Sequence, residues 1–318
     1  MDLLNEMAIK FKKISDHSTS DGIGAALRHM EVAERHWLRA RKEQDEDLLN
    51  DVIYRTNQAF EGMLKEAYSV LTNQDNKRVT PYEIEQHLLD EQLLASRVLD
   101  LFRNYRKEWR NPSTHDHRLF FNQQEALLAI VSVSAFSNIL LDQIIEAISL
   151  QREQEEIEKK KSAIQAKLGN YNALSFIDQV ITLLDLFSEE LKTNTQNLDS
   201  LDESEFLGRL QGFISSLEPS IQLVREPEIG GARKFRPDIL FTRDSETVVL
   251  ELKRLGRTVN RRTLEQGRRQ LLEYLHAGKY QYGVLYVPPS TSDQHMETKA
   301  EGVIHTLIPK DLMEKQHD

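Results

Sequence analysis

The sequence predicts two domains: an N-terminal all-α helical bundle over residues 1–168 and a C-terminal α/β domain with a mixed central sheet over residues 169–318. Three observations carry this. Apolar residues recur with helical period through every long segment between about residue 20 and residue 168. Beyond Glu203 the texture changes to short β-rich runs alternating with helices, a mixed α/β pattern. At 318 residues, 39% hydrophobic and 29% charged, the chain can bury two separate cores.

In the N-terminal half, Asp45–Leu71 places Leu49, Ile53, Phe60, Met63, Leu64, Ala67 and Leu71 on one stripe, with Asp47 or Asp51 at the end the helix dipole favours. Leu93–Trp109 is a second apolar-periodic helix. Gln123–Leu150 is apolar on nearly every side, as the central helix of a bundle is. The following REQEEIEKKK run, Arg152–Lys161, pairs Glu155 with Lys159 and Glu156 with Lys160 at i,i+4 and so extends that helix into solvent. Gly169-Asn170 reads as a helix stop, which sets the domain boundary.

Past the boundary, Phe176, Ile177, Val180, Ile181, Leu184, Phe187 and Leu191 form one more amphipathic stripe before a polar linker, Thr193–Asp202. A helix from Glu203 to about Leu217 comes next. Strands are expected at Ile221–Val224, Asp238–Thr242, Thr247–Leu252 and Tyr282–Val287, with a helix at Arg261–Leu275 before the last. In that helix Leu264, Leu271, Leu272 and Leu275 form the buried stripe.

Composition narrows the function classes. The start, MDLLNEMAIKFKK, has no basic segment followed by an apolar run, so no secretory signal is expected. There are no cysteines, which excludes disulfides and thiolate metal sites and fits a reducing, cytoplasmic compartment. The most apolar stretch, Ala126–Leu141, is interrupted by serines and an asparagine and falls short of the roughly 20 residues a span needs, so no membrane partner is expected. The net charge of −10 argues against coating nucleic acid through a global field. Locally, residues 225–270 hold twelve Lys/Arg against seven Asp/Glu, and Arg103–Arg118 holds five against two. These islands predict two phosphate-facing sites.

The first island contains Arg236-Pro237-Asp238-Ile-Leu-Phe-Thr, a polar turn at Arg243–Glu246, and Thr-Val-Val-Leu-Glu251-Leu252-Lys253. Two neighbouring strands follow, and Glu251 and Lys253, two apart, leave the same face. Two carboxylates converging beside a lysine suit phosphodiester hydrolysis with a hard divalent cation. The Pro-Asp and Glu-Leu-Lys runs resemble those of PD-(D/E)XK nucleases, the restriction-endonuclease-like family, over about residues 203–290. That resemblance implies Asp238, Glu251 and the Leu252 carbonyl as ligands for Mg²⁺ or Mn²⁺, and Lys253 as the catalytic lysine. It also implies a glutamate from the preceding helix, for which Glu205 is chosen over Glu203; the plainer reading of Glu205 is a solvent-facing carboxylate. Gln270 and Tyr274 share a helix face and resemble the Gln-x-x-x-Tyr element of RecB-type members. Arg236, Arg254, Arg257, Arg261, Arg262, Arg268 and Arg269 are expected to face a nucleic-acid backbone.

The second island contains Arg110-Asn111-Pro112-Ser113-Thr114-His115. Pro112 should push Asn111 out of helical geometry and end the helix there. A loop arginine and histidine can cleave RNA without metal, the histidine exchanging protons and the arginine stabilising charge on phosphorus. The run resembles the Arg-x(4–6)-His motif of HEPN domains, and the helical setting over residues 20–150 agrees. The resemblance implies Arg110 and His115 as catalytic, Asn111 as orienting them, Glu61 as a polar neighbour, and a homodimer with two motifs facing one cleft. Plainer readings remain: Arg110 covering a helix C-terminus, and His115 with His117 as an exposed loop pair or a His-x-His metal site.

The expected function is a nuclease of prokaryotic antiviral-defence or toxin type, acting on DNA at the C-terminal site and on RNA at the N-terminal one. The alternative is a non-cleaving nucleic-acid-binding or sensing module with a helical dimerisation domain.

Overall fold

The computed structural model describes residues 2–76, 78–90, 94, 96–111, 113, 119–195, 198, 201–231, 234–253 and 260–314. The chain forms two compact units, Met1–Ile148 and Ser149–Asp318. It is mostly helical, with a six-stranded mixed sheet in the second unit.

Among the described residues the first unit is all helix: α1 (Leu3–Lys12), α2 (Ser20–Glu43), α3 (Asp47–Thr72), α4 (Pro81–Asp90), α5 (Ser96–Tyr105), a π-helical turn (Arg106–Arg110) and the first half of α6 (Gln123–Leu168). The predicted α3 stripe faces the core, with Leu49, Ile53, Phe60, Met63, Leu64 and Ala67 buried and Leu71 partly so. Helix α1, not expected from the sequence, adds Met7 to the same core. Glu85 on α4 is 1% exposed and is held by Arg103, through a very short hydrogen bond, and by Arg106 at 2.9 Å. Two charge-assisted partners are what let a carboxylate sit there at all.

Two expectations about α6 fail. Its start is not covered on every side, since Leu127, Leu128 and Val131 are exposed. Its charged end does not run out into solvent: Ile157 and Ile164, one heptad apart, are buried in the core of the second unit. The compact units accordingly divide inside α6, between Ile148 and Ser149, and not after it at Gly169. The ion pairs on this stretch join Lys159 to Glu156 and Lys161 to Glu158 at i,i+3, and Lys160 turns to Glu190 at 3.6 Å. The most apolar part of α6 is long enough to cross a membrane, and 61% of it is buried inside the protein.

The second unit continues with α7 (Phe176–Asn194), α8 (Glu203–Leu217), β1 (Gln222–Arg225), β2 (Ile239–Arg243), β3 (Glu246–Leu252), α9 (Arg261–Gly278), β4 (Tyr282–Tyr286), β5 (Met296–Glu301), β6 (Ile304–Pro309) and α10 (Lys310–Glu314). Strand order is β1-β2-β3-β4-β6-β5. β1, β2 and β3 pair antiparallel, β3, β4 and β6 parallel, and β5 closes the far edge antiparallel to β6.

Period-2 alternation sorts the two faces. Phe241, Val248, Leu250, Val284 and Tyr286 pack against α7 and α8, whereas Leu240, Val249 and Leu285 pack against Leu264, Leu271, Tyr274 and Leu275 of α9. Leu272, expected in the α9 stripe, is 52% exposed, because Tyr274 takes the buried position. The expected linker is ordered helix as far as Asn194 and is anchored by buried Leu198 and Leu201.

Candidate active site

The site sits where β2 begins and β3 ends. Ile239 pairs with Leu250 in the antiparallel register, so Asp238, one residue before β2, falls opposite Glu251. The parity that sends Val249 toward α9 sends Glu251 the same way. The Asp238 side chain is tied across the gap, its Oδ2 accepting from the Leu252 N–H at 2.6 Å.

Glu251 is 3% exposed. Its Oε1 accepts from Lys253 Nζ at 2.5 Å, and Lys253 Nζ also donates to Gln270 Oε1 at 2.7 Å. Gln270 in turn hydrogen-bonds Tyr274, whose hydroxyl pKa is pushed up to about 12 by burial and by the charges of Glu251 and Asp238. Four predicted residues are thereby joined in one chain, Glu251 to Lys253 to Gln270 to Tyr274.

The other Glu251 oxygen, Oε2, is buried without a hydrogen-bond partner. Burial first, then the facing Asp238 charge, raise the Glu251 pKa to about 7, against the lowering effect of Lys253. Asp238 is raised too, by burial chiefly and by the charges of Glu203 and Glu226, with the Leu252 N–H and Lys253 opposing. Like charges facing each other across a strand pair are destabilising. Among the described residues a single lysine answers the two carboxylates.

Among the described residues no group of three or more His, Cys, Asp or Glu is arranged to hold a metal ion. Magnesium does not need one: it binds through one or two carboxylates and keeps waters and substrate phosphates for its remaining positions. Two facing carboxylates, one with a buried open oxygen, fit that requirement.

Two features of the site escaped the sequence. Glu203 lies within electrostatic reach of Asp238, and Glu205 lines a hollow with Glu153 and Arg209. Gly267 is the other. A Cβ there would lie 2.8 Å from Lys253 Cε and 2.7 Å from Leu285 Cδ1, so α9 presses onto the sheet through its bare backbone and the lysine stem lies across it. An interior glycine costs a helix about 1 kcal/mol against alanine, and that cost was the readable signal for a close approach.

Of the arginines expected to face nucleic acid, Arg236 is engaged by Glu228, Arg261 by Glu265 at 3.1 Å and Arg268 by Glu301 at 2.9 Å. Arg262 and Arg269 are exposed on α9. Arg254 and Arg257 lie outside the described residues.

In the first unit, Arg110 Nε donates to Glu61 Oε1 at 2.7 Å and its Nη1 donates to Asn111 Oδ1 at 3.2 Å. Ser113 Oγ donates to the Arg110 carbonyl at 3.1 Å and accepts from Asn57 Nδ2 at 2.8 Å. The buried Tyr105 hydroxyl lies 2.8 Å from Asn57 Oδ1. Asn111 stays helical, at φ −68° and ψ −48°, contrary to expectation, and its N–H reaches back five residues to Arg106 O. Such widened turns are frequent at functional sites. Arg103 and Arg106 are both spent on Glu85, which removes them from the predicted basic island. His115, the motif's other expected catalytic residue, and His117 lie outside the described residues.

No family model matches the chain, and no match was found among curated proteins or among solved structures.

Proposed function

We propose that this protein is a metal-dependent nuclease whose active site is Asp238, Glu251 and Lys253, as the PD-(D/E)XK resemblance implies. The observation that carries the reading is the buried, unpartnered Oε2 of Glu251 opposite Asp238, beside a lysine fixed by Gln270. Asp238, Glu251 and the Leu252 carbonyl would hold Mg²⁺ or Mn²⁺, which supplies phosphate polarisation and an acidified water. Lys253, held between two oxygen acceptors, lies ready to orient the attacking oxygen or to offset charge on phosphorus. Gln270 keeps the ammonium from collapsing wholly onto Glu251. Exposed Arg262 and Arg269, seven residues apart on α9, give the phosphate backbone a track on the same helix.

The helical unit supports a second, metal-independent RNase site of HEPN type at Arg110, with His115 as its partner. The Arg110–Glu61 contact and the π-helical turn favour it. A homodimer is part of this reading: Leu101 and Val131, 60% and 45% exposed, border an apolar cavity of about 330 Å³ floored by Phe60 and Phe136. A cytoplasmic defence or toxin role rests on the absence of cysteine and on the nuclease chemistry.

Cleavage assays on DNA and RNA, with and without chelator, test both parts. Chelation is expected to stop DNA cleavage and spare RNA cleavage, while replacing the 2′-hydroxyl by hydrogen spares the first and stops the second. Intact DNA cleavage in Asp238→Ala, Glu251→Ala and Lys253→Ala would overturn the assignment.

A further inference from the structure

The connection between β1 and β2 leads into the candidate active site and carries charged groups that the metal chemistry does not use. Its chain doubles back through one antiparallel bridge, the Ile229 N–H donating to the Phe235 carbonyl at 2.9 Å and the Phe235 N–H to the Ile229 carbonyl at 2.9 Å. Gly230, at φ +90°, supplies the left-handed turn. Ile229 is buried and Phe235 partly so, in the core that includes Leu240, Val249 and Leu264. The Phe235 ring meets the Tyr274 ring edge-on at 6.0 Å. Apolar contacts therefore anchor this hairpin on the α9 side of the sheet, the side that carries Glu251 and Lys253.

Strand parity turns the polar neighbours of Ile229 and Phe235 the other way. Continuing the bridge register puts Glu228 opposite Arg236, with Lys234 on the diagonal. Glu228 Oε2 accepts from Lys234 Nζ at 2.6 Å, and its Oε1 accepts a very short hydrogen bond from Arg236 Nη2. One carboxylate thus holds two cations, one on each oxygen, and they keep its pKa down at about 2. Glu226, the other glutamate of the connection, acts on Asp238 and Arg225, and Arg233 lies outside the described residues. Among the described residues, Lys234 and Arg236 outnumber the acid that holds them.

The fork they form has the shape of its ligand. A phosphodiester, like a carboxylate, spreads one negative charge over two oxygens, and arginine and lysine are the side chains that grip such pairs. Cations set one on each oxygen of a carboxylate are already spaced for the two free oxygens of a phosphodiester. Exchange costs little, because Lys234 is 68% exposed and Glu228 and Arg236 are each 40% exposed, and surface ion pairs contribute little. The hairpin itself stays where its apolar side holds it. We propose that Glu228 is an internal stand-in for a backbone phosphate: a nucleic-acid strand displaces it, and Lys234 and Arg236 take one phosphodiester of that strand. On the nuclease reading of Asp238 and Glu251, on which this rests, the fork holds the strand beside the metal site, since Arg236 stands two residues before Asp238.

Fluorescence anisotropy of a labelled DNA duplex with full-length protein, in chelator so that no cleavage occurs, tests this. Glu228→Gln is expected to tighten binding about two- to fivefold, the range an exposed ion pair can withhold, and Glu228→Ala should do the same. Lys234→Ala and Arg236→Ala should each weaken binding and lower the slope of log K against log salt by about 1. In protein lacking both cations, Glu228→Gln should bring no gain. That arm separates exchange at the fork from a mere change in net charge, which would act in either background. Wild-type or weaker affinity in both Glu228 variants overturns the assignment, as does an undiminished gain where Lys234 and Arg236 are both alanine. Mg²⁺-dependent cleavage that persists beside such a result removes the fork alone; a working fork on protein that neither binds Mn²⁺ nor cleaves removes the metal site instead.

Discussion

The two candidate centres treat their charges in opposite ways. Around Arg110, among the described residues, the arginines are answered: Arg110 by Glu61, Arg103 and Arg106 by Glu85. Around Asp238 the books do not close among the described residues, because two carboxylates face each other beside a single lysine, with an oxygen left open. A set of groups already neutral internally can position a substrate, yet it has no electrostatic need for one. A set with uncompensated negative charge in a buried place takes up a proton or a cation, and the proposed metal is the second of these. The comparison ranks the C-terminal centre first.

The largest effect should come from the groups that form this deficit. Lys253→Ala is expected to lower kcat for metal-dependent DNA cleavage by about 10²–10³-fold, the scale for removing a preorganised charge-stabilising donor. Gel assays under saturating Mg²⁺ would read it, and an unchanged melting temperature would show that the fold survives. Gly267→Ala comes next. A methyl group at this position must displace the Lys253 stem or Leu285, so about a tenfold loss in kcat is expected from a misplaced reacting group. Alanine's better helix propensity, about 1 kcal/mol, acts in the opposite direction on stability, which lets calorimetry separate positioning from unfolding.

The pH dependence sharpens the same contrast. Glu251 has its folded pKa raised to about 7 from an ordinary carboxylate value. In metal-free protein its contribution to stability is therefore present at low pH and lost as pH rises through about 7. Melting temperature without metal should fall over that window more steeply in wild type than in Glu251→Gln. Added Mg²⁺ should restore it more at pH 8 than at pH 5; equal stabilisation at both would count against Glu251 as a ligand. The smallest effect is expected at the exposed apolar surface of the helical unit, where Val131→Asp should convert a dimer to a monomer in light scattering with little change in DNA cleavage.

Much of this was readable from sequence where local pattern and tertiary burial agree. The Asp238–Lys253 pair of strands was legible because alternation, turn and parity all act within sixteen residues. The second half of α6 was not, since its nine charges from Arg152 to Lys167 hide the two isoleucines, Ile157 and Ile164, that enter the core. Strand β5 was missed for a similar reason: METKAE is an edge strand whose side chains are mostly exposed and carry no apolar alternation. The arginine islands misled because charge counted along the chain does not reveal that Glu85, far from Arg103 in sequence, comes to lie beneath it. Between Glu205 and Glu203 the sequence has no means to choose, since helix phase relative to a distant strand decides which carboxylate comes near Asp238, and Glu203 acts on it.

The central claim is that Asp238 and Glu251 together form a cation site. Titrating Mn²⁺ into full-length protein and following its electron paramagnetic resonance signal tests that directly, with no substrate present. The account predicts that wild type removes free Mn²⁺ signal saturably and that Asp238→Ala and Glu251→Gln each lose this binding, while Glu205→Gln retains it. Undiminished Mn²⁺ binding in both the Asp238 and Glu251 variants would contradict it.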